Sequence, residues 1–313
     1  MPALKILITD GLDQRGQAIL RSAAQVDDRN GITAEELLSA AAGYAALVVR
    51  SRTRVTKQVL AASTMLQVVG RAGVGVDNID LQAAAARGVT VVNAPQASTI
   101  AVAEHTLALM LALARSIPRA DLAMKNGRWL KKDLEGIELS GKVLGIVGVG
   151  NIGRAVAQRA AAFDMQVLGY DPFLSVEDLQ LQGVEPVVLD ELYARSDFVS
   201  LHVPLSAQTR GMVNGEALRR MKPGVRIICT ARGELIDEAD LLAALEAGQV
   251  AGAALDVFSM EPPGATPLVV HPNVIATPHI SAQTAEAQAR AAVDIAQEVL
   301  AALQGEPLRW KVA

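Results

Sequence analysis

The 313 residues exceed what one domain usually holds, and at roughly 150 residues per domain they imply about two. A hydrophobic share of 51% against 20% charged residues supports a packed core and excludes a disordered chain. The 29 basic and 33 acidic residues leave a net charge of −4, without the basic excess a nucleic-acid surface needs, and the single cysteine, Cys229, excludes an internal disulfide and a Cys-rich zinc site.

In chain order, residues 1–10 lack the basic and long apolar regions of a signal peptide. Short β-branched runs then alternate with Ala/Leu-rich stretches: Leu4–Thr9, Ala46–Val49, Leu66–Val69 and Thr90–Val92 read as strands, Gln14–Ala23 and Ala34–Ala42 as helices between them. Such alternation predicts βαβ units and a parallel sheet. Ser98–Arg115 follows as a long helix with Ser98 at its N-cap, and its apolar character on all sides asks for burial between two domains. Its most apolar run, Leu107–Ala114, is far shorter than the roughly 20 residues that span a bilayer, so no membrane partner is expected. A second strand series runs through Val143–Val147, Gln166–Gly169, Asp197–Leu201, Arg226–Cys229, Ala253–Val257 and Val274–Ala276, and Thr284–Leu303 closes the chain as a helix. The pattern predicts an α/β fold of two doubly wound parallel-sheet domains of unequal size.

The sharpest local signal is Gly148-Val149-Gly150-Asn151-Ile152-Gly153, between the strand Val143–Val147 and a helix predicted over Arg154–Phe163. In such a turn the first glycine allows the bend, the second lets backbone approach a pyrophosphate, and the third lets helix and strand pack closely. The unpaired N–H groups of the helix start then face the anion. Asp171, at the end of the next strand, is an acceptor for ribose hydroxyls that repels a 2′-phosphate, and no arginine follows it in Pro172-Phe173-Leu174. The pattern therefore favours NAD over NADP. Gly73-Val74-Gly75 is half such a pattern with no third glycine, and reads as a turn at a domain rim.

Ligands of open α/β sheets sit beyond the carboxyl ends of the strands, where the second series carries Arg232, Glu261 and His279. Each alone has an ordinary structural reading. Together they are complementary: a histidine to move a proton, a carboxylate to orient it, and an arginine to grip a substrate carboxylate. His105, His202 and His271 are weaker candidates, and no histidine pair has the spacing of a metal site, so no metal is expected.

These residues belong to a longer run of motifs: Val49-Arg50-Ser51-Arg52-Thr53, Gly70-Arg71-Ala72-Gly73-Val74-Gly75-Val76-Asp77-Asn78, Val102-Ala103-Glu104-His105-Thr106, Ala231-Arg232-Gly233, Ala254-Leu255-Asp256-Val257-Phe258, Glu261-Pro262 and Pro278-His279. In this order they resemble the D-isomer-specific 2-hydroxyacid dehydrogenases, over nearly the whole chain, and within that family the branch that acts on 3-phosphoglycerate in serine biosynthesis. The resemblance implies a catalytic triad of Arg232, Glu261 and His279. It implies a cofactor site of Val74, Gly148, Gly150, Asn151, Ile152, Gly153, Asp171, Val203, Thr230 and Ala231, with Asp256 near the nicotinamide. Ser51, Arg52, Arg71, Gly73 and Ser98 fall where the family holds its small anionic substrate. It also implies a Rossmann NAD-binding domain over residues 97–283 and a discontinuous, flavodoxin-like substrate domain over 1–96 and 284–313. Domain closure about hinges near Pro95–Thr99 and His279–Thr284, a homodimer joined through the cofactor domains and a cytoplasmic location follow as further expectations.

Two departures bear on the substrate. Ser98 stands where the phosphoglycerate branch often has asparagine, and Ser281 replaces a usual glycine. A chain ending at Ala313 leaves no room for the regulatory domains of some relatives, so control by serine is not expected. The alternatives are a glyoxylate or hydroxypyruvate reductase using the same triad, and an NAD-sensing protein like the corepressors that resemble this family.

Overall fold

The computed structural model describes residues 4–313, which divide into two compact units. One comprises the chain up to Thr99 together with everything from Ala282 on; the other is Ile100–Ser281. These limits differ by a few residues from those read in the sequence.

The first unit holds a parallel sheet of β1 (Lys5–Ile8), β2 (Gln25–Asp28), β3 (Ala46–Val49), β4 (Val68–Arg71) and β5 (Thr90–Asn93), in the order β2-β1-β3-β4-β5. That is the flavodoxin-like winding. Both faces are covered. Leu7, Leu47, Val49, Val69 and Val91 pack on one side with Leu37 and Leu60, while Ile6, Ile8, Val68 and Val92 pack on the other with Ile295, Ala296 and Val299 of the last helix, Ala285–Gln304. This helix comes so close to the helix Gln14–Arg21 that a Cβ on Gly16 would lie 2.4 Å from the Ala292 carbonyl oxygen. Within the last helix, the buried carboxylate of Glu298 accepts from Arg309 Nε at 2.8 Å and from the amides of Arg309 and Trp310. The segment that follows thereby lies along β5, with Val312 N–H donating to the Val91 carbonyl at 2.8 Å. The polar, partly exposed β2 carries no apolar run, and the sequence pattern passes over it.

The second unit holds β6 (Val143–Val147), β7 (Gln166–Tyr170), β8 (Glu185–Pro186), β9 (Phe198–Leu201), β10 (Val225–Cys229), β11 (Val250–Leu255) and β12 (Val274–Ala276). All pairs are parallel, in the order β12-β11-β10-β9-β6-β7-β8. The winding reverses between β6 and β9, the crevice where this architecture takes its ligand. The apolar helix is Thr99–Ala114 rather than Ser98–Arg115, and Ala103, Leu107, Met110 and Ala114 join Leu144, Ile146, Phe198 and Ile228 in the core. Among the described residues no single helix is long and apolar enough to cross a membrane.

Candidate active site and cofactor turn

The glycine turn sits at the carboxyl end of β6, and each glycine has its own steric reason. Gly148 has φ +90°, and a Cβ there would lie 2.8 Å from both the His202 carbonyl oxygen and Val203 Cγ1. At Gly153 a Cβ would meet the Gly148 carbonyl oxygen at 2.1 Å. A Cβ at Gly150 would meet nothing within 4 Å, so the space over it is open. The helix it starts, Asn151–Ala161 rather than Arg154–Phe163, has no side-chain cap, which leaves its first N–H groups to an anion. An open space above an uncapped helix start fits the pyrophosphate of a dinucleotide. Asp171 braces the turn, Oδ2 accepting from Val149 N–H at 2.9 Å and Oδ1 from Phe173 N–H at 3.0 Å. It braces the strand end, and a carboxylate retains lone pairs for a ligand beyond these two bonds.

Glu261 and His279 meet, with His279 Nδ1 2.8 Å from Glu261 Oε2. The other carboxylate oxygen accepts from Phe258 N–H at 3.2 Å, which fixes the acid against its own loop. His279 follows β12 in a left-handed conformation, φ +54°, rare for a residue with a Cβ. Arg232 follows β10, its Nη1 donating to the Ala231 carbonyl at 2.6 Å. The next residue, Gly233, runs so close to Phe258 that a Cβ would fall 2.0 Å from the Phe258 carbonyl carbon. Only a glycine lets the arginine segment lie against the segment bearing Glu261.

Asp256, at the end of β11, is fully buried. Its Oδ1 accepts from the Thr277 hydroxyl at 2.5 Å and the Ile280 amide at 2.9 Å, and Oδ2 from the Ser281 amide at 2.8 Å. Burial alone would raise its pKa, but His105 and these donors outweigh it and hold the carboxyl down at about 2. A residue read as a neighbour of the nicotinamide therefore anchors the loop on which His279 sits. Thr230, buried beyond β10, pairs with the Thr106 hydroxyl at 3.1 Å.

Sequence reasoning ranks His105 among the weaker histidines and gives it no role, yet its Nε2 lies 3.3 Å from Thr277 Oγ1 and 3.6 Å from Asp256 Oδ1. The available signal was the polar run Glu104-His105-Thr106 inside an otherwise apolar helix. His202 bonds Ser200 through Nε2 at 2.9 Å, and His271 Nδ1 accepts from the Asn273 amide.

The remaining residues lie in the first unit, at the carboxyl ends of β3, β4 and β5. Ser51 is exposed and Ser98 buried. The Arg52 guanidinium turns onto Asp10 at 2.9 Å and the carbonyls of Thr9 and Ile32, so much of its donor set is spent inside the unit. Asp10 also accepts from the Arg50 and Thr53 amides, which makes it the hub of this loop. Arg71 lies against Gly73, whose φ of +149° and missing Cβ make room for the guanidinium. The Val74 carbonyl accepts from Asn93 Nδ2 at 2.7 Å.

The family model "D-isomer specific 2-hydroxyacid dehydrogenase, NAD binding domain" matches residues 107–281. The D-3-phosphoglycerate dehydrogenases of Methanocaldococcus jannaschii and Synechocystis sp. are 48% and 46% identical over 97% and 98% of this chain. The chain spans little more than half of their length, 58% and 56%. Among solved structures, a glyoxylate reductase from Paecilomyes thermophila superposes with a TM-score of 0.91 at 31% identity, covering 100% of this chain and 99% of that one. The TT0316 protein from Thermus thermophilus does so with a TM-score of 0.90 at 34% identity, over 99% and 100%.

Proposed function

The chain belongs to the D-isomer specific 2-hydroxyacid dehydrogenase family, and on that premise we propose that it interconverts 3-phosphoglycerate and 3-phosphohydroxypyruvate with NAD. The observation that carries the reading is the His279–Glu261 pair at 2.8 Å, beyond the strand ends of a unit whose glycine turn has room for a pyrophosphate. The choice of 3-phosphoglycerate leans on the names of the curated relatives, whole proteins nearly twice as long.

The roles follow from proton bookkeeping. Glu261 Oε2 can only accept, so Nδ1 of His279 carries a proton and Nε2 is left to take the proton of the substrate hydroxyl. Glu261 then stabilises the imidazolium, and in the reverse direction His279 returns the proton to the oxygen at C2. Arg232 grips the substrate carboxylate and polarises the C2 oxygen. The nicotinamide, when bound, supplies the hydride acceptor. Gly150 and the start of its helix hold the pyrophosphate, while Asp171 holds the ribose. Arg71 and Arg52 are the two substrate cations at the strand ends of the first unit, and the Arg52 guanidinium is shared with Asp10.

Glyoxylate or hydroxypyruvate reduction by the same triad is the second reading, favoured by the solved glyoxylate reductase, by Ser98 and by the engagement of Arg52. A homodimer through the NAD-binding unit is supported by Ile117, Leu122, Met124 and Trp129, all exposed on and just beyond the helix Ile117–Lys125. A cytoplasmic location accords with the single cysteine.

A panel of 2-hydroxy and 2-oxo acids followed by NADH absorbance tests the reading. 3-Phosphoglycerate should outperform glycerate in kcat/KM, and preference for the non-phosphorylated acid would favour the reductase. His279→Ala should retain NADH affinity and lose most turnover, by at least about a hundredfold. Wild-type turnover in that variant would remove the proton carrier from the mechanism.

A further inference from the structure

The helix Thr99–Ala114 buries alanine, valine, leucine and methionine over most of its length, with Thr106 as its one fully buried polar side chain. His105 beside it is part-buried and faces Thr277 of the His279 loop and the Asp256 carboxylate that anchors that loop. Counting protons assigns its tautomer. The Asp256 carboxylate only accepts, and Thr277 has a single hydroxyl proton, committed to Asp256 Oδ1 at 2.5 Å. The Thr277 oxygen is then left as an acceptor, so His105 Nε2, 3.3 Å away, carries a proton and is the donor. The same N–H points its positive charge toward Asp256 Oδ1 at 3.6 Å.

The loop reached in this way is the one that matters for the chemistry. Thr277, Ile280 and Ser281 all bond the Asp256 carboxylate, and His279 lies between them with its amide donating to the Thr277 carbonyl at 3.0 Å. A left-handed backbone at a residue with a Cβ persists only when its surroundings over-determine it. Here the surroundings are Asp256, Thr277 and, behind them, His105.

We propose that His105 is a positioning residue for His279, acting through the Thr277 hydroxyl and the Asp256 carboxylate to hold the loop in the conformation that keeps the imidazole on Glu261. The proposal rests on the reading of His279 as the proton carrier. It gives His105 no contact with substrate or cofactor.

The test uses the full chain, with His105→Leu and His105→Gln compared in two ways. The first readout needs no turnover: amide hydrogen exchange across 277–281, followed by mass spectrometry. His105→Leu should speed exchange of the Ile280 and Ser281 amides, and His105→Gln, whose terminal N–H₂ reaches about as far as Nε2, should restore most of the protection. The second is steady-state kinetics with NAD and 3-phosphoglycerate. His105→Leu should lower kcat about tenfold to hundredfold, with KM and the NADH dissociation constant within about threefold of wild type. His105→Gln should recover most of kcat, a rescue that loss of packing alone would not give. Should the leucine variant fail to fold, Thr277→Val removes the bridging hydroxyl and carries the same readouts.

Wild-type exchange and kcat in folded His105→Leu would overturn the proposal, as would a folded His105→Gln no better than leucine. If the wild-type chain turns over no acid in the panel, the functional reading fails by itself, and the exchange experiment still decides whether His105 holds the loop.

Discussion

Gly150→Ala and Gly153→Ala are the same chemical change three residues apart, and the structure demands opposite results. At Gly150 φ is −67° and ψ −159°, extended backbone open to any residue, and the added methyl meets no protein atom within 4 Å. Reducing unfolded-chain entropy stabilises by about 0.4–1 kcal/mol, while alanine is worse than glycine at an N-cap by about a few tenths or more. The two nearly cancel. Since about 1 kcal/mol moves the melting temperature of a unit this size by roughly 2–4 °C, Gly150→Ala should melt within about 2 °C of wild type. The methyl occupies instead the space a pyrophosphate would use, and overpacking of about 1–3 kcal/mol weakens binding roughly 5- to 150-fold. At Gly153 the methyl would sit 2.1 Å from the Gly148 carbonyl oxygen, so the same penalty falls on the fold and should lower melting by roughly 2–12 °C. Thermal unfolding of the ligand-free protein and fluorescence titration with NADH read the two effects separately. Wild-type NADH affinity in Gly150→Ala would refute the assignment of the turn to the dinucleotide.

Three further predictions concern the fold and its titrating groups. Burial pushes His202 down to about 4, below its ordinary 6.5, so its contribution to stability is fully present above pH 6.5 and is lost as pH falls toward 4. His202→Gln should flatten the pH dependence of the denaturant midpoint in that window, and an unchanged slope would contradict the assignment. Burial also pushes the Cys229 thiol up to about 11, so a disulfide reagent should modify it only when the chain unfolds; prompt stoichiometric reaction in the native state would count against this. Gly16→Ala gains about 1 kcal/mol of helix propensity but drives a methyl to 2.4 Å from the Ala292 carbonyl, so packing wins and the denaturant midpoint should fall.

What the sequence made legible is what depends on local pattern. The glycine turn, the buried strands and the order of Arg232, Glu261 and His279 after β10, β11 and β12 could be read because each is a short run in a fixed relation to a strand end. The bounds shifted by a few residues where helix ends are set by backbone geometry, as at Asn151, or where a glycine interrupts a strand's apolar run, as Gly252 does in β11 after Val250. The roles of side chains with long-range partners were not legible. Arg52 is turned toward Asp10 from a distant part of the chain. Asp256 holds residues that follow a whole further strand, and His105 reaches Thr277 from another element entirely. Composition and spacing carry no trace of such pairings, because only the winding of the sheet brings them within bonding distance.

The flavodoxin-like unit is assembled from two segments that flank the other unit in sequence, and this sets an order on its birth at the ribosome. β1 and β4 emerge early, but Ile6, Ile8 and Val68 find their buried neighbours Ile295, Ala296 and Val299 only when the last helix has been translated. The nucleotide-binding unit, a single uninterrupted stretch, has all its residues available before then. Domains of a nascent chain ordinarily complete from the leading end. In this protein the middle can finish first, while the opening strands wait with one face not yet covered by the last helix.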